Sequence, residues 1–476
     1  MALNPPSDAL LADLAGLLGP RGFSRDPADL APWLTDWRGR YTGAAAALLS
    51  PGSVDEVREI VARCAAARVG LVPQGGNTSM VGGATPDAGG EALLLSLRRL
   101  NRIRSVSREE NVLVAEAGVI LTQVHEAAEQ AGRRFPLSLG AKGSATIGGL
   151  VSTNAGGTQV LRFGPMRSLV LGIEAVLADG SLYSGLSALR KDNRGYDLKQ
   201  LLIGAEGTLG IVTAAALKLV PAPGSRAVAW VGLDSPAAAL GLLRQLEGRL
   251  GECVEGFELV PREVLVSVLA HIPGVRAPLA ELHPWNVLVE MVSPPSGADA
   301  EAALAEALGD ALESGLARDA TIAASEAQAQ GLWRIRESVA EAERLEGPSV
   351  KHDISVPVSR LPDFMIRAEA EIGRAFPGSR IVAFGHLGDG NLHYNVLPPQ
   401  GADSKAWMAE RAAPLTELVH DLVTAEGGSF SAEHGIGQYK IGELVRTADP
   451  VLLRGQAAIK QALDPAGILN PHKLFA

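Results

Sequence analysis

The sequence predicts an α+β protein with two domains, the second containing an antiparallel sheet. Three observations predict this fold class. Glycine-rich loops lie between apolar runs in the first half of the chain, amphipathic Ala/Leu/Glu segments dominate after residue 221, and a β-hairpin signal lies around residue 389. The loops and apolar runs indicate strands, the amphipathic segments indicate helices, and the hairpin signal indicates antiparallel pairing, a combination found in α+β proteins.

The first domain is predicted from the distribution of glycine. The 54 glycines crowd into 74–90, 140–157 and 204–210, where apolar runs flank them, as in strands joined by tight loops. Segments 53–68 and 119–132 carry apolar residues at intervals of three and four and are predicted to be helices, the first after a Ser cap position.

The second domain is predicted to follow the turn-prone stretch Pro221-Ala-Pro-Gly224. Beyond it, segments 235–250 and 298–316 have the pattern of amphipathic helices. We therefore expect a first domain at 1–222 and a second at 223–455. The last segment, 456–476, is too short for a domain and too apolar for a loose tail, so we expect it to dock on an earlier part of the chain.

Composition places the 476-residue chain among globular proteins. Hydrophobic residues make up 47% and charged residues 20% of it, which excludes a disordered or fibrous chain. The net charge of −10 argues against nucleic acid or an anionic membrane surface as a partner, because phosphate binding needs clustered cations. Two cysteines are too few for a disulfide framework, a four-thiolate zinc site or an iron–sulfur cluster.

We expect a soluble, cytoplasmic protein. Residues 1–18 lack the basic region and apolar run of a signal peptide. No stretch approaches the roughly 20 apolar residues that span a bilayer.

The glycine loops are candidates for an anion and cofactor site. In 71–83 a strand end runs into a loop whose glycines leave backbone N–H groups able to point inward, which suits a diphosphate, although an ordinary turn is an equal alternative for this loop alone. Similar loops at 143–157 and 203–213 favour the cofactor interpretation. Neither GxGxxG after a strand nor GxxxxGK[ST] occurs, so a nicotinamide cofactor on a Rossmann unit is disfavoured.

The segment 381–396 is a candidate metal-binding hairpin. Asp389-Gly390 favours a two-residue type I′ turn, which would place His386 directly opposite His393 and put Asn395 on the same face. Glu433 in a glycine-flanked turn is a candidate third ligand. Two histidines and one carboxylate suit zinc, iron or manganese with open positions. The alternative is a structural turn whose histidines are satisfied by the backbone.

The glycine loops resemble those of the flavoprotein family that includes vanillyl-alcohol oxidase and p-cresol methylhydroxylase. The resemblance implies a two-lobed FAD-binding domain, an α+β substrate-binding cap domain and a C-terminal segment, 456–476, that returns to the FAD-binding domain. Several relatives attach flavin through a histidine where this chain has Asn77, so the resemblance implies non-covalent FAD. The cofactor-binding residues that it implies are Pro73, Gln74, Gly75, Gly76, Asn77, Thr78, Ser79, Pro136, Ser138, Gly143, Ser144, Thr146, Gly148, Gly149, Asn154, Gly156, Gly204, Glu206, Gly207, Ile211, Val212, Asn470 and Lys473.

Segments 332–339 and 347–357, with the hairpin and Glu433-His434, resemble the FAD-dependent D-2-hydroxyacid dehydrogenase branch of that family. The resemblance implies oxidation of a D-2-hydroxy acid, with D-2-hydroxyglutarate favoured as the substrate. It implies that Arg336 and Lys351 bind substrate carboxylates, that Asn395 hydrogen-bonds the substrate and that His434 is the base. The implied metal ligands are His386, His393 and Glu433, with zinc as the metal.

Several alternatives remain open at this stage. Relatives often have a hydroxyl residue where this chain has Ala340, which leaves a D-lactate or glycolate dehydrogenase as the main alternative. A metal-dependent hydrolase would leave the glycine loops unexplained, and a non-catalytic scaffold would leave both sets of motifs unexplained. Because nothing binds nicotinamide, we expect an external electron acceptor such as an electron-transfer flavoprotein or a quinone, and a homodimer is compatible with the sequence.

Overall fold

The computed structural model describes residues 3–475 and confirms a mixed fold of helices and mainly antiparallel sheets. The strands are β1 (Phe23–Ser24), β2 (Leu48–Leu49), β3 (Leu71–Gln74), β4 (Leu93–Ser96), β5 (Ile103–Ser107), β6 (Val112–Glu116), β7 (Arg133–Arg134), β8 (Val170–Val176), β9 (Leu182–Gly185), β10 (Ile211–Lys218), β11 (Val220–Pro221), β12 (Ser225–Leu233), β13 (Val254–Pro261), β14 (Trp285–Ser293), β15 (Asp319–Ile322), β16 (Val350–Ser355), β17 (Arg380–His386) and β18 (Asn391–Leu397).

The helices lie before the first strand, between the strands and after the last one. They are α1 (Asp8–Leu18), α2 (Pro27–Leu30), α3 (Val54–Ala67), α4 (Leu121–Gln130), α5 (Ile147–Thr153), α6 (Val160–Phe163), α7 (Met166–Leu169), α8 (Leu198–Leu202), α9 (Pro236–Leu250), α10 (Arg262–His271), α11 (Ala300–Glu313), α12 (Glu326–Glu337), α13 (Val339–Glu346), α14 (Leu361–Ala375), α15 (Ser404–Ala425), α16 (Ile441–Thr447) and α17 (Pro450–Leu463). Among the described residues, none of these helices combines the length and apolarity needed to cross a membrane.

The chain divides into two compact units. Unit 1 comprises the described residues of Met1–Gly157, Gly164–Pro221 and Glu433–Ala476, and unit 2 comprises Thr158–Phe163 and Ala222–Ala432. The turn at Pro221 thus lies at the boundary between the units. The returning segment begins at Glu433, earlier than the residue 456 expected from the sequence, because α16 and α17 group with unit 1.

The four predicted helices form as α3, α4, α9 and α11, and serine caps begin two of them. The Ser53 hydroxyl accepts a hydrogen bond from the backbone N–H of Glu56 and begins α3, and Ser235 caps α9 in the same way. The buried residues of α3 are Val57, Ile60, Val61 and Cys64, which recur every three or four positions. These helix predictions are confirmed.

Unit 1 contains a four-stranded sheet in the order β1-β2-β4-β3 and an antiparallel sheet in the order β5-β6-β10-β8-β9. The C-terminal segment packs beside β3, where the Leu71 N–H donates to the Ile468 carbonyl and the Asn470 N–H donates to the Leu71 carbonyl. Ile468 and Leu469 are fully buried in the core around β3 and β4. This docking holds the end of the chain near the first glycine loop.

Unit 2 is built on a seven-stranded antiparallel sheet in the order β15-β12-β14-β13-β17-β18-β16. On one face the sheet buries a core with α9, α11, α14 and α15, and on the other face it packs against α10, α12 and α13. Because side chains alternate across each strand, Phe384 and Val382 lie on the second face and Tyr394 and Val396 on the first. The candidate histidines of β17 and β18 share the second face.

Candidate functional site

Unit 1 contains a cavity of about 620 Å³, within the range of small-molecule and cofactor sites. All three glycine loops line it, together with Glu433 and His434 of the returning segment. The predicted cofactor residues in its wall are Pro73, Gln74, Gly75, Gly76, Asn77, Thr78, Ser79, Gly143, Ser144, Thr146, Gly148, Gly149, Gly156, Glu206, Gly207, Ile211 and Val212. The lining residues that the sequence did not single out include Trp37, Leu97, Leu139, Ser152 and Thr153.

Glycine is required where two loops approach each other. A Cβ atom added to Gly75 would lie 2.1 Å from the Thr146 hydroxyl, and one added to Gly76 would lie 1.9 Å from the Ser144 carbonyl oxygen. The first and second glycine loops therefore meet by close backbone approach. A side chain at either position would push the two loops apart and alter the wall of the cavity.

Three buried polar atoms in this wall have no hydrogen-bond partner among the described residues. They are the Gln74 side-chain oxygen, the Asn77 side-chain oxygen and the Thr146 hydroxyl. The amide nitrogens of Gln74 and Asn77 donate to backbone carbonyls of Trp33, Ala84 and Thr35, which leaves the oxygens turned from those partners. Buried polar atoms normally find partners, and FAD offers both donors and acceptors, so these residues fit the cofactor.

Six predicted cofactor residues lie outside the cavity lining, and two of them brace the loops instead. The Asn154 side chain accepts a hydrogen bond from the Arg167 N–H, and the Asn470 amide donates to the Gly83 and Glu206 carbonyls. Asn154 and Asn470 therefore support the loops that form the cavity wall without lining the cavity themselves. The residues outside the lining are Pro136, Ser138, Asn154, Gly204, Asn470 and Lys473.

Glu206 joins the third glycine loop to the returning segment. Its buried carboxylate accepts hydrogen bonds of 2.7 Å from the backbone N–H groups of Ile436 and Gly437. Burial raises the pKa of this carboxyl, although the two N–H donors and the nearby Lys440 and Lys473 act against the increase. These hydrogen bonds position the backbone that follows Glu433 and His434 at the cavity wall.

Lys473 carries a buried ammonium group whose loss of hydration is poorly offset by hydrogen bonds. The side chain is 2% exposed, and Nζ donates only a long hydrogen bond of 3.5 Å to the Pro471 carbonyl. Burial lowers the pKa of Lys473 to about 8, although Asp87 and Glu206 favour the charged form.

The histidine hairpin of unit 2 forms, but the predicted register is wrong. His386 pairs with Asn391 and Phe384 pairs with His393, because a 3-10 turn over Leu387–Asp389 and a left-handed Gly390 replace the two-residue turn. The register is shifted by two residues, which leaves both histidines on one face of the sheet. Asn395 lies on that same face, as predicted.

The two imidazoles are neighbours despite the shift. Their ring centroids are 5.8 Å apart and the rings are nearly perpendicular. His386 Nδ1 lies 2.6 Å from Oε1 of Glu258, a carboxylate on the adjacent strand β13. A histidine that donates Nδ1–H to a carboxylate presents a basic Nε2, which is the usual state of a metal-ligating histidine.

Glu433 follows directly on a segment that is bonded to the strand beside His393. Asp353 pairs with His393 across β16 and β18, and its carbonyl accepts a hydrogen bond of 3.2 Å from the Ala432 N–H. Ser429, three residues before Ala432, exchanges two backbone hydrogen bonds with Ser355, two residues after Asp353. Unit 2 thus fixes the backbone up to the residue before Glu433.

The two cationic side chains predicted to bind substrate carboxylates each form an ion pair with a buried carboxylate of the protein. Arg336 Nε donates to Glu258 at 2.8 Å, and Lys351 Nζ lies 2.7 Å from Glu343. The Asn395 amide also donates to Glu343, at 2.9 Å. Within residues 3–475, Nε is the only side-chain nitrogen of Arg336 with a hydrogen bond, so the N–H groups of Nη1 and Nη2 remain available as donors.

Glu258 and Glu343 are the site residues that sequence reasoning missed. Burial alone would raise the pKa of Glu258, but the neighbouring His386 and Arg336 lower it to about 2. The available signal was a glutamate inside the apolar run of β13, since carboxylates in fully buried strands need partners. The position of Glu343 on an amphipathic helix carried no comparable signal.

Comparison with known families identifies the class of protein. The family model described as "FAD binding domain" matches residues 45–185, and the model described as "FAD linked oxidases, C-terminal domain" matches residues 222–474. The chain therefore belongs to the family of FAD-linked oxidases and is an FAD-dependent oxidoreductase.

Named relatives narrow the comparison further. The chain is 40% identical to mitochondrial D-2-hydroxyglutarate dehydrogenase of Bos taurus over 97% of this chain and 83% of the relative. It is 41% identical to D-2-hydroxyglutarate dehydrogenase of Xanthomonas citri pv. viticola, with 94% and 93% covered. It is 34% identical to D-2-hydroxyglutarate–pyruvate transhydrogenase of Saccharomyces cerevisiae, with 94% and 90% covered.

Solved structures confirm the fold that the resemblance implied. p-Cresol methylhydroxylase with substrate bound matches with a TM-score of 0.77 at 16% identity, covering 99% of this chain and 98% of that chain. An alkyldihydroxyacetonephosphate synthase matches with a TM-score of 0.74 at 17% identity, covering 99% and 87%. At these identities the likeness concerns the fold alone.

Substitution Gly76→Ala is expected to abolish retention of flavin, because the added Cβ would meet the Ser144 carbonyl. The measurement is the ratio of flavin to protein absorbance after gel filtration. Gly140→Ala is the matched control, since Gly140 lines the same cavity and its added Cβ meets nothing within 4 Å. Equal flavin content in the two variants would contradict the close-approach argument.

Substitution Lys473→Met is expected to stabilise the protein at pH 7 by up to about 3 kcal/mol. Below pH 8 the lysine is charged in both states and the folded protein bears the burial cost. Between pH 8 and about 10.5 the unfolded chain binds the proton that the folded protein has lost, so the wild-type free energy of unfolding rises with pH. Denaturant unfolding of both flavin-loaded proteins should show the difference shrinking over this interval, and parallel pH curves would refute it.

Proposed function

We propose that the chain oxidises a D-2-hydroxy acid, with D-2-hydroxyglutarate as the substrate, at a divalent metal centre formed by His386, His393 and Glu433. The observation that carries the proposal is the facing pair of imidazoles, with the backbone before Glu433 bonded to the strand beside His393. Two histidines and a carboxylate leave coordination positions for a bidentate 2-hydroxy acid. The names of the relatives support the choice of substrate.

The chain's own residues would bind the substrate and move one proton. Arg336 offers the Nη1 and Nη2 donors for a carboxylate, and Asn395 and Lys351 lie on the histidine face of the sheet. His434 would accept the hydroxyl proton on a ring nitrogen. When bound, a divalent cation would acidify the substrate hydroxyl and FAD would accept the hydride from C2.

Loss of a proton to His434 and of a hydride from C2 converts the hydroxy acid into the 2-oxo acid. The electrons must then leave the protein before a second turnover. We propose an external acceptor such as an electron-transfer flavoprotein or a quinone, because two cysteines cannot hold a relay of iron–sulfur clusters.

A D-lactate or glycolate dehydrogenase is the second candidate, and one contact favours it. The Lys351 ammonium is already paired with the buried Glu343, which reduces the positive charge available to a second substrate carboxylate. A monoanionic substrate would not need that charge.

Substitution His386→Ala is expected to remove the bound metal and most turnover while flavin is retained. A lost ligand should weaken metal binding by at least about 100-fold, the upper range for residues that act behind a ligand. The measurements are metal content by elemental analysis and substrate-dependent bleaching of the flavin. The control is His271→Ala, a half-buried histidine at the C-terminal end of α10. Unchanged metal content and turnover in the His386 variant would contradict the proposed centre.

The ratio of kcat/KM for D-2-hydroxyglutarate to that for D-lactate is expected to exceed about 10, because a second charged hydrogen bond contributes roughly 1.5–3 kcal/mol. Lys351→Met should reduce this ratio toward 1 by lowering kcat/KM for the dianion only. Equal efficiency on both substrates in the wild-type protein would favour the second candidate.

A further inference from the structure

Glu258 lies between two groups of the candidate site and contacts both. It is on β13, where it pairs with His386 of β17, and its side chain is 1% exposed. The position places its carboxylate on the face of the sheet that carries the histidines. None of the roles proposed above is assigned to this residue.

Each carboxylate oxygen of Glu258 has its own partner. Oε1 lies 2.6 Å from Nδ1 of His386, and Oε2 accepts from Nε of Arg336 at 2.8 Å. A carboxylate that served only as a counter-ion to arginine could take the bidentate geometry with both oxygens on the guanidinium. The observed division instead ties the orientation of one group to that of the other.

The two contacts select the working form of each partner. A carboxylate on Nδ1 fixes the tautomer of the imidazole and raises the basicity of Nε2. Use of Nε by Glu258 leaves Nη1 and Nη2 of Arg336 for a substrate carboxylate. The Phe384 ring centroid lies 5.0 Å from the guanidinium carbon of Arg336 and 5.1 Å from the ring centroid of the second histidine, His393, so it restricts the movement of both side chains.

We propose that Glu258 is a positioning residue that holds the metal-binding ring of His386 and the substrate-binding guanidinium of Arg336 in one fixed geometry. The inference rests on the proposed metal centre and extends it. In this arrangement one buried side chain, Glu258, sets the distance between the metal and the substrate carboxylate. Metal affinity and substrate KM therefore depend on the same residue.

The test compares Glu258→Gln with Glu290→Gln, a control of closely matched chemistry. Glu290 is also buried in the sheet of unit 2 and also accepts from one arginine and one ring N–H, those of Arg226 and Trp333. It has no link to the histidines among these contacts. Both variants are prepared with FAD, and Zn²⁺ affinity is measured by competition with a chelator, alongside thermal unfolding and the KM and kcat for D-2-hydroxyglutarate.

Glu258→Gln is expected to weaken Zn²⁺ binding 10- to 100-fold and to raise KM, since an amide cannot accept from both partners. Glu290→Gln should keep the wild-type Zn²⁺ affinity even where its thermal stability falls. Glu258→Asp retains the charge and serves if the Gln variant does not fold. Its shorter side chain cannot reach both partners, so it should also bind Zn²⁺ more weakly than the wild type.

Wild-type Zn²⁺ affinity and KM in the folded Glu258 variants would overturn the inference while leaving the metal centre intact. A similar loss of Zn²⁺ affinity in Glu290→Gln would also overturn it, because the effect would then be general destabilisation. Failure of the wild-type holoprotein to bind Zn²⁺ would overturn the inference together with the proposed metal centre.

Discussion

The alternation of side chains across one antiparallel sheet is the constraint on which the candidate site of unit 2 depends. Three adjacent strands, β13, β17 and β18, carry Glu258, His386, His393 and Asn395. Residues paired across neighbouring strands share a face, and residues two apart on one strand share a face, so all four side chains lie on the same face. A shift of one residue in any of these strands would move its functional side chain into the apolar core of the opposite face. The register of the sheet therefore determines which side chains come together in the candidate site.

The glycine loops of unit 1 depend on a different constraint, the absence of side chains. Gly75 and Gly76 let two loops approach closely, and the unsatisfied oxygens of Gln74 and Asn77 lie in the cavity wall beside them. The buried carboxylate of Glu206 then links the third loop to the returning segment. Backbone contacts thus shape the flavin site, whereas side-chain contacts shape the site of unit 2.

Local signals were sufficient to predict four of the helices and the glycine loops, and the family resemblance carried the fold class. Ser53 as a cap and the apolar spacing of α3 specify a helix without tertiary information. The hairpin register was wrong because Asp389-Gly390 favours a tight turn locally, whereas the folded chain forms a longer turn in which only Gly390 is left-handed. Glu258 was missed because its partners Arg336 and His386 lie far away in sequence, and pairing between strands places it beside His386. Glu343 was missed because its contacts with Lys351 and Asn395 depend on how a helix packs on the sheet.

Anomalous X-ray diffraction from crystals of the flavin-loaded protein with Zn²⁺ would locate the metal ion and its ligands. We expect one peak about 2.0–2.2 Å from a ring nitrogen of His386, a ring nitrogen of His393 and a carboxylate oxygen of Glu433. Glu258 should remain hydrogen-bonded to His386 Nδ1. A peak bound by other residues, or no peak in crystals that contain bound flavin, would contradict the proposed metal centre.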